Sequence, residues 1–171
     1  MLCPTVRFVF FDVYGIIVTR HLGSSANLAI PSNQLSNAYK FSAYRVAAAT
    51  VNGSALVVMD TKQFDTGTNF STGTGVFTAP IAGFYWFYGQ LTSSGNPTYM
   101  WADIIKNGTS VRRGNRESAS NGNGIQVSVG MLIQLASNDT VGLGATTGSL
   151  VSLEVGDALK CYFDGFLVSK T

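Results

Sequence analysis

The residues able to do chemistry are few and scattered. The chain holds one histidine, His21, and two cysteines, Cys3 and Cys161, at opposite ends. A histidine-and-carboxylate metal centre needs several imidazoles, and two distant cysteines have neither metal-ligand spacing nor a disulfide framework. A Ser-His-Asp arrangement would depend on His21, outside the segment that reads as the main domain. Cys161 lies in an apolar stretch with no nearby histidine to deprotonate it, so a buried free thiol is expected. The nine acidic residues form no obvious pair and no aspartate-rich calcium loop. Asp139 reads as a turn-shaping residue and Asp164 stands beside Gly165. The expectation is a protein without a catalytic site, metal or other cofactor.

The one charge cluster is Arg112, Arg113 and Arg116, in "VRRGNRESASNGNG" at residues 111–124, which reads as a loop. Two readings stand side by side. One is docking of an anionic partner: a sulfated or sialylated glycan, a lipid headgroup or an acidic protein surface. The other is a solvated loop partly balanced by Glu117. The net charge of +2 is too small to argue for nucleic acid. Sequons at Asn52, Asn69, Asn107 and Asn138 matter only on a eukaryotic secretory route.

The elements that must position these residues read as strands. Hydrophobic residues make up 46% of the 171 residues and charged ones 12%, so the surface is built mainly from Ser, Thr, Asn, Gln and Gly. The length suits one domain with a short extension. No apolar run reaches the roughly 18 residues of a membrane-spanning helix. The first 26 residues hold Arg7 and a short apolar run, but Asp12 splits it and Arg20-His21 precede the small residues, which argues against a signal peptide. An isolated strand or a mis-assigned start remain as readings of that stretch. Residues 22–39 are Ser/Asn-rich and uncharged, as in a linker, so the expected division is an extension at 1–36 and a domain at 37–171.

Within the domain, short apolar runs alternate with turn residues, and long helical periodicity is lacking. The expected strands are 41–46, 56–59, 75–78, 84–92, 99–106, 125–135, 140–145 and 159–169, with an Asn-Gly hairpin at 107–108 and a loop tip at 119–124. The strand in "GVFTAPIAGFYWFYGQL", residues 75–91, is apolar on both sides. Tyr85 and Phe87 point one way; Phe84, Trp86 and Tyr88 point the other. Both faces therefore need cover.

Five segments, in order, resemble the globular head of complement component C1q. "FSAYR" (41–45) resembles its first strand, and "TGVFTAPIAGFYWF" (74–87) its central signature, with Gly83, Tyr85 and Phe87 in the last three motif positions. "IIKNG" (104–108) resembles the next hairpin, "LIQLASNDTVGL" (132–143) a later strand pair, and "YFDGFLV" (162–168) the closing strand. Asn138 stands where the family usually has glycine, and no collagen-like Gly-X-Y repeat precedes the domain.

The resemblance implies an all-β, ten-stranded antiparallel jelly-roll sandwich, shared with tumour necrosis factor-like ligands, that assembles as a homotrimer. Phe41, Phe77, Gly83, Tyr85, Phe87, Gly165 and Phe166 would be its core signature. Phe84, Trp86, Tyr88 and Phe163 would face the threefold axis and supply the missing cover. A monomer covered by its own residues 1–35 is the competing reading. Some relatives bind calcium near the top of the trimer; the comparable stretch here is basic and amide-rich and does not support such a site. The expected function is a non-catalytic, trimeric extracellular recognition module. The alternatives are the knob of a viral, phage or bacterial surface fibre, or a secreted soluble ligand.

Overall fold

The computed structural model describes residues 7–11, 17–21, 39–118 and 124–171. The expected linker at 22–39 and loop tip at 119–124 lie outside them except for residues 39 and 124. The chain divides into two units, Met1–Leu35 and Ser36–Thr171. In the first, β1 (Arg7–Phe11) and β2 (Ile17–His21) form an antiparallel hairpin.

The second unit is all-β among its described residues. Its strands are β3 (Lys40–Tyr44), β4 (Thr50–Leu56), β5 (Thr61–Asp65), β6 (Phe70–Ser71), β7 (Val76–Thr78), β8 (Gly83–Thr92), β9 (Met100–Lys106), β10 (Thr109–Glu117), β11 (Gln126–Leu135), β12 (Thr140–Ser152) and β13 (Tyr162–Lys170). The two-residue β6 brings the number past the expected ten. One sheet runs β11-β8-β13-β3-β5; the other runs β10-β9-β12-β7-β6, with β4 also pairing β12. The first and last strands of the unit, β3 and β13, are neighbours, so the chain wraps back on itself as a jelly roll does.

An aromatic cluster joins the two sheets. Phe41 stacks on Phe70 and Phe77 at ring-centroid distances of 4.6 and 5.3 Å, and Phe87 stacks on Phe163 at 5.7 Å. Each such ring taken from water contributes roughly 1.5–3 kcal/mol. Tyr85 is equally buried, and its hydroxyl donates to the Ile81 carbonyl at 2.9 Å. Gly165 makes room for these rings. A Cβ there would lie 2.6 Å from both Phe41 Cε1 and Phe87 Cδ1.

Two turns show why their residues are needed. Asn107 and Gly108 both have positive φ, 49° and 80°, the pairing that closes a tight β9–β10 hairpin. Asn138 has φ 73°, so it occupies the left-handed conformation that explains why glycine is usual at this position.

Three expectations need correction. Phe163 is fully buried in the core and is not an axis residue. Phe166, expected in the core, is 42% exposed. The cause is strand parity: Phe163 and Gly165 align with Gly89 and Phe87, whereas Phe166 aligns with Trp86. The stretch carrying Arg112, Arg113 and Arg116 is the edge strand β10 and not a loop.

Candidate functional site

The outward face of the β11-β8-β13-β3-β5 sheet concentrates the exposed apolar side chains. Along β8, residues alternate between buried and exposed, so Tyr85 and Phe87 enter the core while Phe84 and Trp86 stay outside. One cross-strand row reads Phe64, Ser42, Asp164, Tyr88 and Gly130; the next reads Lys40, Phe166, Trp86 and Leu132. Phe64, Phe84, Trp86, Leu132 and Phe166 are each 38–51% exposed. Gly130 gives the Trp86 and Tyr88 rings space, since a Cβ there would sit 3.2 Å from each. An apolar surface gathered on one sheet face marks an interaction site more readily than scattered residues do.

Polar groups sit low among these rings. Burial pushes the Asp164 carboxyl above the ordinary carboxylate value. The Ser42 hydroxyl beside it offsets this only in part, and it donates to Gln63 Oε1 at 3.1 Å. One Asp164 oxygen is buried without a hydrogen-bond partner among the described residues. Tyr162 lies next to it and donates to Gln90 Oε1 at 3.2 Å. Desolvation, reinforced by neighbouring Tyr88 and Asp164, pushes the Tyr162 phenol up to about 12.

The arginines lie on the other sheet and do not act as equals. Arg113 is opposite Asp103 in the β10–β9 ladder and donates from Nε to Asp103 Oδ1 at 3.0 Å. Its guanidinium also lies 4.2 Å from the centre of the Trp101 ring. Arg116 lies 4.8 Å from the centre of Tyr99, which stacks on Trp101 at 5.0 Å. These contacts hold two of the three side chains against aromatic faces. Arg112 aligns with Ile104 and is exposed. The sequence reading missed Tyr99, Trp101 and Asp103 as partners. The signal available was the period of two that puts residues 99, 101, 103 and 105 on one side of β9.

Among the described residues, no three His, Cys, Asp or Glu side chains converge as metal ligands. Cys161 is buried and unpaired; burial raises its thiol above the ordinary value, and Sγ donates to the Glu154 carbonyl at 3.1 Å. No described helix is long and apolar enough to cross a membrane.

Comparisons with known proteins agree with this architecture. The family model for the C1q domain matches residues 40–168. Among solved structures, the globular domain of zebrafish complement 1qA protein is 21% identical, with a TM-score of 0.61, over 78% of this chain and 99% of that one. Eiger TNF from S. frugiperda gives 8% identity and a TM-score of 0.64, over 78% of this chain and 94% of that one. Murine APRIL gives 11% identity and a TM-score of 0.60, over 76% of this chain and 98% of that one. No curated protein matches the sequence. At these identities the neighbours establish the jelly-roll fold, and the family match does the rest: the chain belongs to the C1q domain family.

Proposed function

We propose that this protein is a non-catalytic recognition module that works as a homotrimer outside the cell. C1q and TNF-like domains typically form trimers and serve as binding modules, commonly extracellular ones. The observation that carries the reading is the apolar face of Phe64, Phe84, Trp86, Leu132 and Phe166 on the five-stranded sheet. Two further copies of the same chain are its proposed cover. This assigns Trp86, Phe84 and Tyr88 to the interface and brings in Phe166 in place of Phe163. The six-stranded sheet then faces outward, free for a ligand.

The test uses tryptophan emission. The chain has two tryptophans, so Trp101→Phe leaves Trp86 as the sole reporter. At micromolar concentration, acrylamide should quench it poorly, and a second change, Phe166→Asp, should make it accessible. Equal quenching with and without Phe166→Asp would remove the support for this interface.

A further inference from the structure

A depression of about 420 Å³ lies on the outward face of the six-stranded sheet, away from the apolar face just described. Its volume is in the range of small-ligand pockets, and a monosaccharide fits it. The ladders explain its shape. Leu56, Gly144, Asp103 and Arg113 form one cross-strand row, and Val76, Gly142 and Ile105 form the next. Glycines at 142 and 144 let the ends of Leu56 and Ile105 lie low over the sheet, since a Cβ at either would come within 2.5 Å of one of them. The result is an apolar floor bounded by polar side chains.

The hydrogen-bond chain around this floor fixes what each polar group can still do. Asp103 is 3% exposed and paired with Arg113, so its carboxylate only accepts. Thr146 Oγ1, 2.9 Å from Asp103 Oδ2, must therefore donate to it. Ser54 Oγ, 2.9 Å from Thr146 Oγ1, must in turn donate to Thr146. Ser54 is left with accepting lone pairs only. Thr140 likewise spends its proton on Asn107 Oδ1 at 3.3 Å and can only accept. On the opposite rim, Arg113 is fixed by Asp103 at Nε and by the Trp101 ring. Its remaining guanidinium donors form a fork suited to a planar oxyanion.

We propose that this depression binds a sugar acid: a monosaccharide-sized ring bearing a carboxylate. The carboxylate meets the Arg113 fork, a ring hydroxyl donates to Ser54, and the C–H face of the ring lies on Leu56 and Ile105. Asp103 takes no direct part; it is a positioning residue that orients Arg113. The inference deepens the recognition reading and rests on it for the statement that the domain binds a ligand. It does not depend on the trimer interface, which lies on the other sheet.

The test is calorimetric titration of the full chain with D-glucuronate, methyl β-D-glucuronide and methyl β-D-glucoside. Both acids should bind and the neutral glucoside should not. The glycoside stands for a glycan end and the free acid for a metabolite, so the tighter of the two identifies the source. Ser110→Trp on the exposed rim should abolish binding by filling the space without touching the Asp103–Arg113 pair. Arg113→Lys, which keeps charge and loses the fork, should weaken binding about ten-fold or more. Arg112→Ala, outside the depression, should leave it unchanged. Absence of binding to both acids by a chain of trimeric mass would overturn this site and spare the assembly. Binding of the glucoside as tight as that of the acids, or binding unaltered in Ser110→Trp, would equally overturn it. A monomer that does bind the acids would remove the proposed assembly and leave the site standing.

Discussion

Phe166 stands directly opposite Trp86 in the β13–β8 ladder, while its chain neighbour Gly165 stands opposite Phe87. One step along the strand thus separates the packed interior from the exposed aromatic face. Phe163, three residues before Phe166, falls on the interior side and stacks on Phe87. This parity assigns different roles to two phenylalanines of the same motif.

Truncating them should therefore have different consequences. Phe163→Ala should leave a cavity among Phe41, Phe70 and Phe87, lowering stability by about 3–5 kcal/mol. Phe166→Ser should change stability of the isolated fold little and weaken association between copies. Denaturant unfolding and sedimentation of both variants check this. Equal loss of stability in the two would contradict the assignment.

Asp164 should make the apolar face sensitive to pH. Its folded value lies above the ordinary 3.8, so the folded state takes up a proton at a higher pH than the unfolded chain does. The desolvated charge therefore opposes folding fully above the folded value, and that opposition is relieved as pH falls towards 3.8. Asp164→Asn should melt higher than the parent at pH 7.5, with the gap narrowing as pH falls towards 3.8. Thermal melts at the two values decide it; an Asn variant that melts lower at pH 7.5 would count against the picture.

Asp139 should behave with the opposite sign. The bonds from Lys106 Nζ, Asn107 and the Ala136 amide hold its carboxyl down to about 2 from 3.8. Its contribution is complete above 3.8 and disappears as pH falls through about 2. After discount for solvent screening, Asp139→Asn should cost about 1 kcal/mol at neutral pH. The difference from the parent should vanish near pH 2 in urea titrations. A cost that persists there would mean that turn geometry, and not charge, is what Asp139 supplies.

What the sequence revealed depends on where each element sits. The signature strand β8 was legible because Gly83, Tyr85 and Phe87 repeat with a period of two against one core. Strand β10, "TSVRRGNRE", was not, because an edge strand exposed along its length carries no apolar alternation. The face of Phe163 could not be read locally, since it is set by the ladder with β8. The Asp103–Arg113 pair was equally hidden. Register shifts in β10, between Ser110 and Arg112 and between Arg113 and Arg116, decide which arginine meets the carboxylate.

The central claim is that copies of this chain cover the face of Trp86 and Phe166. The direct measurement is the solution mass of the full chain by light scattering after gel filtration, repeated for Trp86→Ser. The account predicts three times the single-chain mass of 18.2 kDa for the parent and a shift towards the single chain for the variant. A parent that stays at the single-chain mass at micromolar concentration would contradict it.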